Sequence, residues 1–300
     1  MKTLRALLIL GRVSNLPTVW SNCLAGWFLG WGHFDFNTLR MPGFALLILA
    51  ATLFYIAGML LNDAVDVDWD RTHRPERPIP SGAIELRTVW WLGIGGLAIG
   101  MGITGSLGKT TAILGVLLMN CILIYNFIHK RTAWSVLIMG ACRSLLVLLA
   151  GAMAHAQSGR QLPFLMCEEA GAVTWAAAAV GIYVVGLSCM ARAESKPAVV
   201  DWWPVLLMLS PVIPAILVND GKLRSNAALL CAVLTLWVFR NLRFAFTINP
   251  RQVGRAVGGW LAGIVWVDML AVAAAPREAG ILFLALFCLA LLLQKKVPAT

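Results

Sequence analysis

An aspartate-rich segment of this sequence is followed at once by basic residues and prolines. Asp63, Asp66 and Asp70 have the spacing i, i+3 and i+7, so they share one face if the segment is helical. Three carboxylates so near to one another would repel unless a cation lies among them. Hard oxygen ligands with room for water and phosphate oxygens suit Mg²⁺. The pattern therefore predicts a magnesium site that binds a diphosphate.

Two other interpretations compete for the aspartate segment. A calcium-binding loop needs ligands at alternate residues, a glycine at its sixth position and a glutamate at its twelfth, and the segment lacks this spacing. A solvated acidic loop would not explain why the aspartates directly adjoin a hydrophobic span. Since carboxylates at a membrane edge usually have a function, metal binding is the favoured interpretation.

The residues after the aspartates favour an extended connection that carries cations. Pro75, Pro78 and Pro80 stop the helix and stiffen the chain. Arg74 and Arg77 can then reach back over the metal site. A purely structural role, in which the segment only ends the helix, is compatible with this function.

The composition places these residues in a membrane protein. Of 300 residues, 60% are hydrophobic and 13% are charged, and the mean hydropathy is +0.80, so a soluble domain is excluded. The fold class expected is all-α, with about nine transmembrane helices in one domain that covers residues 1–300. The predicted spans are 16–32, 44–61, 89–107, 110–128, 136–154, 173–190, 204–218, 227–246 and 257–275, with a shorter tenth apolar stretch at 281–293.

The distribution of basic residues predicts the orientation. With the N-terminus in the cytoplasm, most of the 24 lysines and arginines lie on the cytoplasmic side, and so does the aspartate segment. The pI of 9.7 then reflects orientation and contact with anionic lipids, and nucleic-acid binding is not expected. The expected location is the cell (inner) membrane. The 7 cysteines form no C-x-x-C pair and are interpreted as packing residues.

The two motifs together resemble the signature of the UbiA superfamily of intramembrane prenyltransferases. Residues 12–22 resemble the first helix of that family, and residues 125–131 with Gly140 and Arg143 resemble its fourth-to-fifth helix turn. The resemblance implies a helical bundle around a central cavity that opens sideways to lipid. It implies that Asp63, Asp66 and Asp70 bind Mg²⁺ and a prenyl diphosphate. The implied substrate-binding residues are Asn15 and Asn62 at the polar end, and Arg74, Arg77, Lys130 and Arg143 for phosphate contact.

The sequence departs from this family at the second acidic motif. Two acids four residues apart are usual there, whereas Glu194 is the only acid of the corresponding stretch and is kept as a catalytic candidate. Arg192 and Lys196, at i and i+4, share a helical face. They are either loop cations that reach the membrane surface, or substrate-binding cations that replace a second Mg²⁺. The stretch resembles the EboC-like branch of the superfamily.

The leading functional hypothesis is Mg²⁺-dependent transfer of a prenyl group from a prenyl diphosphate to an aromatic or other lipophilic acceptor. One alternative is phosphoribosyl transfer to polyprenyl phosphate, and another is a non-catalytic isoprenoid carrier. Among the histidines, only His73 is expected near the chemistry. Asp268 is expected to be either a partner in helix packing or part of the cavity.

Overall fold

The structure of this protein, a computed structural model, describes residues 2–160, 163–192, 202–218, 221–246 and 252–298. Within those ranges all regular elements are α-helices or short 3-10 turns. The helices are α1 (Lys2–Leu10), α2 (Leu16–Trp31), α3 (Pro42–Val65), α4 (Val67–His73), α5 (Leu86–Ser106), α6 (Lys109–Ile128), α7 (Ser135–Gln157), α8 (Glu168–Arg192), α9 (Pro204–Leu209), α10 (Val212–Val218), α11 (Gly221–Phe246), α12 (Val253–Ala262), α13 (Ile264–Ala271) and α14 (Arg277–Gln294).

The long helices confirm a multi-pass membrane protein of the all-α class. Of the described residues, eight stretches are helical, long and apolar enough to cross a membrane, and α12 and α13 together make one of them. The predicted tenth stretch belongs to this set as α14, which has 18 residues. The predicted first span is α2, which has only 16 residues and is therefore about 24 Å long.

Helix α2 lies in the centre of the bundle and is buried on nearly all sides. Most of its residues are apolar, which fits such a position, while its polar residues Thr18, Ser21 and Asn22 share one face. Gly26 and Gly30 allow α2 to approach α7 closely, because a Cβ at Gly30 would overlap the backbone of Gly151. Gly32, with a φ of 86°, ends the helix in the left-handed conformation that favours glycine.

Two predicted spans are interrupted. The stretch predicted at 204–218 divides into α9 and α10 around Pro211, which has no N–H to continue the helical ladder. The stretch predicted at 257–275 divides at Gly263 into α12 and α13. The Tyr183 hydroxyl donates a hydrogen bond to the Trp260 carbonyl, 2.8 Å away, and so satisfies a backbone group at this break.

The connection between α4 and α5 is a series of tight turns, so the expectation of an extended segment was wrong. The amide of Arg77 donates to the Arg74 carbonyl, and the amide of Ser81 donates to the Arg77 carbonyl. Prolines fix φ at a value that turns also adopt, and these turns fold the segment back over the end of α3. Arg77 is thereby brought to the aspartates.

Candidate functional site

The polar site is built at one end of the bundle, where several helices begin or end. Helix α3 ends at Val65, Asp66 lies at the junction, and α4 starts at Val67. The Asp66 amide donates a hydrogen bond to the Asn62 carbonyl, and the Asp70 amide donates to the Asp66 carbonyl, so the helical hydrogen bonds continue across this junction. The aspartates therefore keep nearly helical spacing, as the sequence predicted. The α6–α7 turn and the C-terminal end of α8 contact one another at this end of the bundle.

Arg77 joins the first and third aspartates. Its Nη1 lies 3.2 Å from Asp63 Oδ1 and 2.9 Å from Asp70 Oδ2. Arg12 adds a second cation, with Nη2 3.7 Å from Asp63 Oδ1. Both carboxylates are buried, and charges that are removed from water need such partners. The predicted reach of Arg77 over the aspartates is thus present in the structure.

Asp66 is held by the turn between α6 and α7. Lys130 Nζ lies 2.9 Å from Asp66 Oδ1, and His129 Nε2 lies 3.2 Å from Asp66 Oδ2. Burial alone would raise the pKa of this carboxyl, but the hydrogen bonds from His129 and Lys130 outweigh burial and hold its pKa below the usual value. Asp66 is therefore an anion that is ready to bind cations.

An aromatic platform orients the cations around the aspartates. Lys130 Nζ lies 4.3 Å from the centre of the Trp69 ring, and the Arg74 guanidinium lies 5.7 Å from it. His73 stacks on the same ring, with centroids 4.2 Å apart. Arg74 thus rests on Trp69, while Arg77 contacts the aspartates. The expectation that His73 is the only histidine near the chemistry was wrong, because His129 contacts Asp66 directly.

Arg192 clamps the α6–α7 turn. Its guanidinium donates to the carbonyls of His129 at 2.7 Å, Thr132 at 2.8 Å and Ala133 at 3.0 Å, and to the Ser135 hydroxyl. These bonds satisfy carbonyls of the turn that follows α6, which lie outside the helical ladder. They also fix the turn that carries His129 and Lys130. The predicted site residues Glu194 and Lys196 lie outside the described residues.

An apolar cavity of about 310 Å³ extends from this polar end into the bundle. Asn15, Asn126 and Arg12 line it near the aspartates. The Asn126 amide donates to the Gly58 carbonyl at 3.1 Å, and Asn62 Nδ2 lies 3.4 Å from Asn126 Oδ1. Further in, the wall is mostly apolar and aromatic, with lining residues that include Phe54, Tyr55, Leu118, Ile122, Leu146, Leu187, Val257 and Ile264.

The polar end carries carboxylate oxygens, which are ligands of the type that a hard divalent cation binds. In the part of the chain that the structure describes, no group of three or more acidic, histidine or cysteine side chains is arranged to hold a metal ion. However, one Arg77 nitrogen donates hydrogen bonds to both Asp63 and Asp70, so a positive charge already lies between these two carboxylates. Carboxylate oxygens are the ligands that Mg²⁺ prefers.

Several contributors to the site were not assigned from the sequence. Arg12 has a left-handed backbone with a φ of 42°, which is uncommon for a residue other than glycine. His129 and Trp69 were likewise given no role. The sequence leaves two roles open for Asp268, and the structure places it 2.9 Å from the Asn22 amide, deep in the bundle. The αL backbone and these contacts arise from tertiary structure, so spacing along the chain carried no signal for them.

The fold and the site together define an intramembrane helical bundle whose apolar cavity ends at a cluster of aspartates and cations. The chain belongs to the UbiA prenyltransferase family, whose sequence model matches residues 14–249. This match, over more than half of the chain, confirms the resemblance drawn from the aspartate and Arg-Pro motifs.

Among curated proteins, the chain resembles the digeranylgeranylglyceryl phosphate synthase of Metallosphaera sedula. The two are 34% identical over 87 residues, which cover 29% of this chain and 31% of the synthase. Other proteins of the same name match over 20% to 43% of their length. The chain therefore aligns with less than half of the length of the curated relatives that it matches.

Solved structures of UbiA homologues share the fold. One from Aeropyrum pernix K1 has a TM-score of 0.66 at 18% identity, and the match covers 89% of this chain and 98% of that chain. One from Archaeoglobus fulgidus, bound to GPP and Mg²⁺, has a TM-score of 0.51 at 17% identity and covers 91% of this chain and 100% of that chain. At these identities the likeness concerns the fold alone.

Proposed function

We propose that this protein is a Mg²⁺-dependent intramembrane prenyltransferase that moves a prenyl group from a prenyl diphosphate to a lipid-phase acceptor. The observation that carries the proposal is the junction of two unlike environments. Three buried aspartates with Arg12, Arg77, His129 and Lys130 lie at the end of an apolar cavity. A prenyl diphosphate has the same division, with a charged head and an apolar tail.

The residues of the polar end suit the departure of a diphosphate. Cleavage of an allylic carbon–oxygen bond leaves negative charge on the diphosphate, and Arg77, Arg12 and Lys130 are cations close enough to stabilise it. Asp63, Asp66 and Asp70 are the residues that would hold Mg²⁺, which would supply further positive charge to the leaving group. Arg74 supports the platform at Trp69, and Arg192 fixes the turn that carries Lys130.

The cavity suits the other half of the substrate. Its apolar wall would bury the isoprenoid and exclude water from the reacting carbon. Phe54 lines the same space, and an aromatic ring face stabilises a developing positive charge. The acceptor would then attack the first carbon of the prenyl group.

The names of the relatives support prenyl transfer to a polar lipid. Digeranylgeranylglyceryl phosphate is a glyceryl phosphate that carries geranylgeranyl groups, and six curated relatives are synthases of this product. We therefore favour a lipid acceptor of the glyceryl phosphate type over an aromatic one. The proposed location is the cell (inner) membrane, with the aspartates on the cytoplasmic side.

The test is binding of geranyl diphosphate to the detergent-purified protein with Mg²⁺ and with EDTA. Asp63→Ala and Asp66→Ala should abolish the Mg²⁺-dependent part of the binding, while the helical circular dichroism stays unchanged. Asp68→Ala is the matched control, because the Asp68 side chain is 87% exposed and, among the described residues, its ion pair is with Arg71. Unchanged affinity in the double variant Asp63→Ala/Asp66→Ala would rule out the metal site.

A second measurement separates transfer from the alternative functions. Release of diphosphate on incubation with geranyl or geranylgeranyl diphosphate and a lipid acceptor should accompany formation of the prenylated product. Binding without release under every acceptor condition would favour the isoprenoid carrier. Transfer from phosphoribosyl diphosphate to polyprenyl phosphate would instead establish the phosphoribosyl reaction.

A further inference from the structure

A second charged group is buried in the bundle, apart from the aspartate cluster. Arg143 of α7, Asn22 of α2 and Asp268 of α13 form a continuous network of hydrogen bonds. Arg143 and Asp268 are 8% and 1% exposed. None of the contacts described for the diphosphate end includes these three residues, so the network needs its own explanation.

The network has a fixed direction. Arg143 Nη1 donates to Asn22 Oδ1 at 2.9 Å, and Asn22 Nδ2 donates to Asp268 Oδ1 and Oδ2, both at 2.9 Å. The Ser21 hydroxyl also donates to Asp268. A carboxylate can only accept, so Asp268 forces the nitrogen of the Asn22 amide toward itself and leaves the oxygen toward Arg143. Asp268 thereby sets the orientation of the guanidinium through Asn22.

Arg143 presents its charge at the cavity. It lines the cavity wall, and its guanidinium lies 5.7 Å from the centre of the Tyr55 ring. A further donated bond reaches the Thr18 hydroxyl at 3.2 Å. Arg143 lies eight residues into α7, which places it about 12 Å along the helix from the turn that binds Asp66. The cavity thus has one cation at depth in addition to those at its polar end.

A cation at this depth is costly and does not serve the isoprenoid tail. Burial of an ion is favourable only when partners compensate for lost water, and neutral side chains would pack α2, α7 and α13 without that cost. A positive charge also opposes a carbocation that forms nearby. The arrangement is explained if the cation meets a negative group that enters the cavity with the second substrate.

We propose that Arg143 binds an anionic group of the acceptor, and that Asp268 is a positioning residue that acts on Arg143 through Asn22. This inference rests on the proposed prenyl transfer and adds the class of acceptor that the cavity selects. The anion is a phosphate or a carboxylate, since both accept paired hydrogen bonds from a guanidinium.

The test compares acceptors that differ only in charge, with geranylgeranyl diphosphate as donor. One pair is geranylgeranylglyceryl phosphate and geranylgeranylglycerol, and the other is 4-hydroxybenzoate and 4-hydroxybenzyl alcohol. The wild type should prefer the anionic member of at least one pair, and the pair identifies phosphate or carboxylate. Arg143→Met, which keeps an apolar stem, should raise the KM of that acceptor about tenfold or more and leave the donor KM unchanged.

The positioning role is tested by moving the carboxylate along the network. Asp268→Asn should raise the same acceptor KM, because its amide allows Asn22 to turn its nitrogen toward Arg143. The double variant Asn22→Asp/Asp268→Asn places a carboxylate at residue 22, which accepts a hydrogen bond from Arg143, and an amide at residue 268, which donates to residue 22. It should therefore recover the wild-type KM. In an Arg143→Met background, Asp268→Asn should have no further effect on this KM.

Several outcomes would overturn the inference. Equal use of charged and neutral acceptors by the wild type would do so, as would variants that lower the melting temperature and shift donor and acceptor KM alike. If Arg143→Met does not fold, Arg143→Gln/Asp268→Asn removes both charges together, and retained preference for the anion would refute the proposal. If no acceptor is prenylated, equilibrium binding of the four acceptors is measured instead, and equal affinities refute it. Absence of geranylgeranyl diphosphate binding by the wild type would refute the proposed function itself.

Discussion

Replacement of Arg192 tests whether the clamp on the α6–α7 turn supports diphosphate binding. Arg192 donates to three backbone carbonyls and to one hydroxyl. A hydrogen bond from a charged donor contributes about 1.5–3 kcal/mol. The turn also has backbone hydrogen bonds of its own, from the Arg131 and Thr132 amides to the Ile128 carbonyl. Only part of the summed free energy of the Arg192 bonds should therefore affect binding at Asp66.

A loss equivalent to one such bond is the magnitude that we expect. About 1.4 kcal/mol corresponds to a tenfold change in affinity, so Arg192→Ala should weaken binding of geranyl diphosphate about tenfold or more. Arg192→Lys should recover little of this loss, because an ammonium carries its donors on one nitrogen and cannot reproduce the planar, spread donors of the guanidinium. The assay is titration of the labelled diphosphate in detergent at fixed Mg²⁺ and ionic strength.

The control for Arg192 is Arg131, a cation of the turn that Arg192 contacts. Arg131 is exposed, and its described hydrogen bond comes from its backbone amide. Arg131→Ala removes the same charge from the same end of the protein and should change the affinity less than twofold, as expected for a screened surface charge. Equal losses in the Arg131 and Arg192 variants would refute the clamp and leave only an effect of total charge.

Three further predictions concern other parts of the molecule. Glu194→Gln should weaken diphosphate binding less than Arg192→Ala does; abolition of transfer by Glu194→Gln, with Arg192→Ala harmless, would make Glu194 a metal ligand. A cysteine introduced at the exposed Ser81 should resist membrane-impermeant labelling from outside intact cells, since the charge distribution places it in the cytoplasm, and efficient labelling would reverse the orientation. Gly30→Ala should destabilise the protein by about 1–3 kcal/mol, because its Cβ would overlap Gly151. The control is Gly102→Ala, which has open space around it and should unfold at the wild-type temperature. Equal melting temperatures of the Gly30 and Gly102 variants would contradict the close approach of α2 and α7.

The positions of most helices could be predicted because hydropathy is a local property of the chain. The spans that became α3, α5, α6, α7 and α8 needed only composition and length. The interruptions at Pro211 and Gly263 could not be placed in this way. A proline or glycine within a membrane span can be tolerated, and the break at Gly263 is accompanied by a bond from Tyr183, a residue from a distant part of the sequence.

The residues of the site also fall into two groups, those that local sequence predicts and those that depend on tertiary contacts. Asp63, Asp66 and Asp70 were predicted together because they are close in sequence and share a helical face. Arg77 was predicted because it follows directly after them. Arg12, His129 and the partnership of Arg143 with Asp268 depend on which helices become neighbours. Single side chains give no indication of such contacts, so only the structure could bring them together.

The balance of charge at the polar end has a consequence for how a substrate finds the cavity. Asp63, Asp66 and Asp70 face three permanent cations, Arg12, Arg77 and Lys130, so the charges within this cluster cancel and the cluster itself adds little long-range field. Long-range attraction that speeds the capture of ligands from solution requires a surplus of one sign. Capture would instead begin in the bilayer, where each methylene of an isoprenoid tail adds about 0.8 kcal/mol of partition free energy. The search is then a diffusion in two dimensions, with a rate that depends on tail length and lipid composition.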